Sequence, residues 1–194
     1  MSRIGIFSGT FDPIHTGHIE FALSAIANCQ LEAVYFLPEK TPREKDRVSL
    51  YSDRVAMLEL ALNKYPKFKI ISGLDSKFTV AKTLPKLKQK FANDKLVFLL
   101  GSDVVKTFAY RWDGLGEFLQ HVDLCIGLRM ADTESEVEQI LEATLQEYGI
   151  HTAYTTITST GMHIASTVIR HNAHSGSDVD DSVAKYIADN KLYS

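Results

Sequence analysis

A histidine pair around a glycine, His15-Thr16-Gly17-His18, follows a short apolar run and the segment Gly9-Thr10-Phe11-Asp12-Pro13-Ile14. Glycine and proline in such a segment allow and fix a sharp turn, and Thr16 or Gly17 can start a helix. A strand that turns into a helix N-terminus presents unpaired backbone N–H groups and the positive end of the helix dipole, which suits phosphate. His15 and His18 stand three residues apart, so on a helix their rings can converge above the turn. From there they can donate to phosphate oxygens, more strongly when protonated. The Gly-Lys-Ser/Thr ending of a P-loop is absent, as is GxGxxG, and no partner cluster at metal spacing accompanies the histidines. The expectation is a phosphate site of another kind, with no metal held by protein ligands.

A second constellation stands late in the chain, Ile164-Ala165-Ser166-Thr167-Val168-Ile169-Arg170. Ser166 or Thr167 can cap a short helix and offer hydroxyl and N–H groups to a phosphate. Arg170 lies one turn on, where its planar fork could grip a β- or γ-phosphate as pyrophosphate charge develops. Alone this is an ordinary capped helix with an arginine. Its weight comes from its partner near the start of the chain.

Elements that could hold two such sites together are legible as an alternation. Arg3–Ser8, Ala33–Leu37, Phe68–Ser72, Leu96–Leu100, Asp123–Leu128 and Thr152–Thr158 read as strands. Between them Gly17–Asn28, Leu50–Lys64, Thr79–Phe91, Glu134–Tyr148 and Asp180–Asn190 read as helices, with Val55, Leu58 and Leu62 marking the apolar face of the second. Pro85 is expected in the first turns of its helix, or to split it. Strands that are apolar throughout suit parallel pairing under helices on both faces, so the fold class is α/β, a doubly wound, mostly parallel, Rossmann-like sheet. No linker divides residues 1–194, and a single domain is expected.

Composition excludes several classes. Hydrophobic residues are 45% and charged residues 23% of the chain, the balance of a globular protein. A net charge of −3 gives no global case for binding nucleic acid or an anionic membrane. No run approaches the length of a membrane helix. The opening apolar run, Ile4 to Phe7, reads as a buried strand rather than a secretion signal, and a cytoplasmic location is expected. Cys29 and Cys125 are far apart in sequence and read as buried small hydrophobes.

Together GTFDPIHTGH and IASTVIR resemble the two signatures of the HxGH nucleotidyltransferase superfamily. The landmarks between them are similar to those of the bacterial nicotinate-nucleotide adenylyltransferases: Leu37-Pro38 with a basic loop through Arg43-Glu44-Lys45, Arg54-Val55-Ala56-Met57-Leu58, Phe78-Thr79-Val80, Leu100-Gly101-Ser102-Asp103, Trp112, and a tail ending in Leu192-Tyr193. The resemblance runs almost end to end. It implies adenylyl transfer from ATP to nicotinate mononucleotide, with Mg²⁺ arriving on ATP. His18 would meet the α-phosphate and His15 the triphosphate. Lys45, with Lys40 or Arg43, would close over the phosphates, and Ser166, Thr167 and Arg170 would hold the β- and γ-phosphates. Gly9, Thr10, Phe11, Gly101, Asp103 and Ile164 complete the implied ATP site, with Asp103 on a ribose hydroxyl. Thr10, Lys45, Thr79 and Trp112 are the implied acceptor contacts, Trp112 as a stacking partner for the pyridine ring.

Three positions depart from the family pattern: Ser8 and Ala165 stand for a glycine and a serine, and Ala81 stands where an aspartate is usual. The last keeps nicotinamide mononucleotide and pantetheine phosphate open as acceptors, and beyond them a nucleotide sensor without turnover. The apolar C-terminal helix is a surface through which the chain could form a homo-oligomer.

Overall fold

A computed structural model of the chain describes residues 1–41, 48–129, 132–158, 170 and 178–193. Six strands, β1 (Arg3–Gly9), β2 (Ala33–Pro38), β3 (Phe68–Ile70), β4 (Lys95–Gly101), β5 (Asp123–Leu128) and β6 (Tyr154–Thr158), form one sheet in the order β3-β2-β1-β4-β5-β6. All five pairings are parallel. Chain order reverses between β1 and β4, and in such sheets the crevice at the carboxyl ends of these two strands is the binding place. Gly9 and Gly101 are the residues that end them.

Helices cover both faces because the strands alternate apolar side chains between two cores. Phe7, Val97 and Leu99 face α1 (Thr16–Asn28), α2 (Tyr51–Leu62) and the C-terminal α7 (Asp181–Asp189). Ile4, Ile6, Leu96 and Phe98 face α3 (Val80–Lys90), α5 (Leu115–His121) and α6 (Glu134–Tyr148). The doubly wound sheet of the sequence reading is thus present. No helix among the described residues is long and apolar enough to cross a membrane.

Several details refine the expectation or differ from it. Pro85 does not split α3 but sits in its second turn, the first of the two placements expected for it. It can donate nothing to the carbonyl of Ala81, whose residue is exposed, so water can serve that acceptor instead. Three short elements went unseen: α4 (Ser102–Lys106), a 3₁₀ turn (Thr107–Tyr110) and α5. On α2 the buried face is Arg54, Met57, Leu58, Ala61 and Leu62, so an arginine occupies the position from which Val55 is rotated away. The two cysteines, distant in sequence, share a thiol–thiol hydrogen bond that holds Cys29 at about 7 and, with burial, pushes Cys125 up.

Arg54 is 1% exposed and ties the crevice together. Its Nη1 donates to the carbonyls of Thr10 at 2.7 Å and Glu39 at 2.8 Å, its Nη2 to Lys40 at 3.1 Å and its Nε to Ser49 at 3.2 Å. The loop after β1, the end of β2 and the start of α2 therefore meet on one guanidinium. Replacing Arg54 by Met should cost about 3 kcal/mol, since it removes the donors of several carbonyls together with the cation that faces the buried Asp12 carboxylate. Arg54→Lys should recover little of it, because one ammonium cannot span the fork's acceptors. Urea unfolding midpoints of the variants check this.

Candidate active site

The turn after β1 owes its shape to Phe11 and to close packing rather than to a flexible Gly9. Phe11 adopts φ 51°, and the Asp12–Pro13 bond is cis. A Cβ at Gly9 would stand 3.0 Å from the Phe11 ring, so the glycine serves proximity. His15, in extended conformation, precedes the first helical residue Thr16. Its N–H donates to His18 Nδ1 at 3.3 Å. With Nδ1 accepting, the proton of a neutral His18 ring sits on Nε2.

The two rings stack at 3.6 Å between centroids, and Phe7 and Phe11 flank His18 at 5.7 and 5.2 Å. This packing fixes where His18 can point. His15 is 6% exposed, and burial first, then the positive charge of Arg129, lowers it to about 3. His15 is therefore a neutral imidazole near neutral pH, and the protonated donor allowed for by the sequence reading does not apply to it. Among the described residues its Nδ1 is buried without a hydrogen-bond partner.

A cavity of about 250 Å³ opens over this turn. Gly9, Thr10, Phe11, His15, His18, Gly101 and Asp103 all line it, so seven of the eight described residues of the expected ATP site are gathered in one place. Arg170 joins the same turn: its Nη1 donates to the Asp12 carbonyl at 2.7 Å. The second signature thereby meets the first, through the backbone. Lys45, Ile164, Ser166 and Thr167 lie outside the described residues, as does Arg43.

A second cavity of about 460 Å³ lies alongside and holds both Thr79 and Trp112. Ser8, Glu39, Leu100 and Val104 line both cavities and so form their shared wall. Thr10 lines the first cavity only. Trp112 stands among Phe78, Phe98 and Phe118, with its Nε1–H donated to Thr107 Oγ1 at 3.0 Å. Thr79 combines the two roles open to it: it lines the cavity, and its Oγ1 caps α3 by accepting from the Lys82 N–H at 3.3 Å. Ala81 is also on the lining, and no acidic residue stands in the first turn of α3. The helix start thus faces the cavity, and the carboxylate that stands by it is that of Glu39, from β2's end, rather than one of the helix's own.

Two lining residues escaped the sequence reading. Glu39 accepts from the Phe78 N–H at 3.3 Å and from the Ser8 hydroxyl at 3.5 Å, all on one carboxylate oxygen. Arg129 follows β5 and brings a cation to the first cavity, its Nε 3.4 Å from Asp103 Oδ1. Both directly follow a strand's last residue, much as Asp103 stands two residues past the end of β4, and that placement is the signal that could have marked them.

Over residues 6–175 the chain matches the cytidylyltransferase-like family. It is 31% identical to the nicotinate-nucleotide adenylyltransferase of Bacillus subtilis (strain 168), a match covering 100% of this chain and 99% of that one. The chain belongs to the nicotinate-nucleotide adenylyltransferase family. A second relative from Neisseria meningitidis serogroup B is 32% identical, again over 100% and 99% of the two chains. This adenylyltransferase fold also recurs in the Plasmodium falciparum nicotinic acid mononucleotide adenylyltransferase complexed with NaAD, with a TM-score of 0.78, 21% identity and coverage of 100% and 98%. At that identity the likeness concerns the fold.

The burial of His15 has a consequence for this family member's stability. Between pH 6.5 and about 3 the unfolded chain binds a proton at this position that the folded one does not. Its contribution is therefore fully present above 6.5 and is lost as pH falls through that window. His15→Gln should lose less stability than the parent between pH 6.5 and 4, read from urea midpoints at stepped pH. Parallel slopes would mean that the ring is not held neutral.

Proposed function

We propose that the chain transfers the adenylyl group of ATP to the 5′-phosphate of nicotinate mononucleotide, releasing pyrophosphate and forming nicotinate adenine dinucleotide for NAD biosynthesis. All 194 residues would act as one nucleotidyltransferase domain in the cytoplasm. The observation that carries this is the paired cavity: a turn built for phosphate on one side of a shared wall, an aromatic chamber on the other. One suits a nucleoside triphosphate, the other a flat ring, and the phosphates of both would meet at the wall.

An acceptor phosphate oxygen attacks the α-phosphorus in line, the new O–P bond forming as the bond to the β-phosphate oxygen breaks. That oxygen is already ionised at neutral pH, so no base is needed. The protein's work is to position two anions and to stabilise the charge that spreads during transfer. His18 would donate to the α-phosphate, held in place by its aromatic neighbours. The positive end of the α1 dipole would favour the phosphates, with Arg129 adding charge, although the N–H groups of Thr16 and His18 are already donated to the carbonyls of Asp178 and His15. Arg170 would reach the β- or γ-phosphate, and Lys45 would close from its loop. Asp103 would take a ribose hydroxyl.

Mg²⁺ would supply charge screening on the triphosphate. Among the described residues no trio of metal-binding side chains exists, and we assign the ion to phosphates and water.

Trp112 would stack on the pyridine ring, and the N-terminus of α3, which has no acidic residue in its first turn, would offer a positive end for the nicotinate carboxylate. One observation favours a second acceptor. Glu39 and Asp113 are the charged side chains on the described lining of that chamber, and both are acidic, which suits the neutral carboxamide of nicotinamide mononucleotide better than a carboxylate.

Pyrophosphate release from Mg·ATP with nicotinate mononucleotide, nicotinamide mononucleotide and pantetheine phosphate tests the assignment. Preference for the first is expected, and silence with all three while ATP still binds would overturn catalysis altogether. His18→Ala should lower kcat by about 100-fold with little loss of ATP affinity. Trp112→Ala should raise the acceptor KM by about tenfold and leave that for ATP alone.

A further inference from the structure

We infer that Tyr193, on the C-terminal tail, is a positioning residue for the phosphate turn, its hydroxyl fixing the Asp12 carboxylate and so the backbone that receives ATP. The inference builds on the reaction proposed for that turn. Asp12 is 1% exposed. A carboxylate taken that far out of water must be met by donors. The Tyr193 hydroxyl donates to Oδ1 at 2.6 Å and the Ser49 N–H to Oδ2 at 3.2 Å, while Arg170 takes the residue's carbonyl. Three distant parts of the chain thus converge on one turn residue, and the shortest contact to the carboxylate comes from the tail.

The tail's backbone is shaped for this contact. After α7, Lys191 and Tyr193 adopt φ of 51° and 64°, left-handed conformations that non-glycine residues take at a cost. Between them the Leu192 N–H closes on the Ile187 carbonyl at 3.0 Å. Val183 and Ile187 anchor α7 in the core that contains Phe7, Phe11 and Ile14. Just before α7, the Asp178 carbonyl accepts the N–H of Thr16, the first helical residue of α1, at 2.8 Å. The C-terminal segment therefore grips the turn at both ends, at Asp12 and at Thr16, with His15 in between. Burial, and then the Asp12 carboxylate, raise the Tyr193 hydroxyl above its ordinary range, so it remains a donor near neutral pH. Small displacements of positioning groups lower turnover steeply, which is how a residue that touches no substrate can act on the rate.

Tyr193→Phe keeps the ring and removes only the hydroxyl. In steady-state pyrophosphate release with Mg·ATP and nicotinate mononucleotide, kcat should fall about tenfold while both KM values stay within about threefold. Hydrogen exchange at the amides from Thr10 to His18 should quicken by about tenfold, with that of β5 unchanged. Leu145→Ala removes packing from the other core, on α6, without touching the tail or the turn. It should lower the melting temperature and keep kcat within about twofold of the parent, a contrast with Tyr193→Phe that packing alone would not produce. Parental kcat and turn exchange in Tyr193→Phe would overturn the inference, as would an equal loss of kcat in Leu145→Ala. The exchange reading needs no turnover. An inactive parent protein would sink the proposed reaction, and the grip of Tyr193 would still be decided by the amides of the turn.

Discussion

A buried guanidinium holds the ends of this crevice together. Arg54 brings the carbonyls of Thr10, Glu39, Lys40 and Ser49 to one side chain. Each of these carbonyls lies outside the strand ladders, past the end of β1 or β2 or ahead of α2. A fork of five donors resolves that accounting with a single side chain. Burial lowers Arg54 from its ordinary value, and the Asp12 carboxylate opposes this most strongly, so the two buried charges of the region depend on one another. The phosphate turn, the shared wall and the start of α2 are consequences of that arrangement.

The parallel sheet supplies what one arginine cannot. Reversal of order between β1 and β4 splays their following segments apart and opens the crevice. Glycines end both strands: at Gly9 a Cβ would press on the packed Phe11 ring, whereas at Gly101 it would meet the exposed Asp103 carboxylate, which can turn aside. On the β1 side the crevice is lined by a helix N-terminus and imidazoles. On the other it is lined by Phe78, Phe98, Trp112 and Phe118, rings gathered from the α3 approach, β4, the loop before α5 and α5 itself. A substrate pair with charged phosphates and one flat ring matches this division in kind.

The periodic elements were legible in the sequence. Strands β1, β2, β4 and β5 carry uninterrupted apolar runs, and α1, α3 and α6 fall close to their expected bounds. What was missed is short or depends on tertiary partners. The segment Ser102–His121 holds two helices of 5 and 7 residues with Gly114 and Gly116 among them, too brief for a periodic signal. The His15–His18 turn was readable because both signal and chemistry are local. Arg54, Asp12, Glu39 and Arg129 were not assigned their parts, because a single charged residue says nothing of the distant carbonyls, amides or cavities it will meet. Tyr193 is the extreme case, paired with a residue 181 positions earlier.

The central claim is that two separate compartments receive the nucleotide and the ring of the acceptor. Trp112, the chain's single tryptophan, stands in one of them and outside the other, so its fluorescence reports on that chamber alone. Titration with nicotinate mononucleotide should quench the emission saturably, and titration with Mg·ATP should leave it nearly unchanged. Quenching by ATP with no response to the mononucleotide would contradict the assignment of the two cavities.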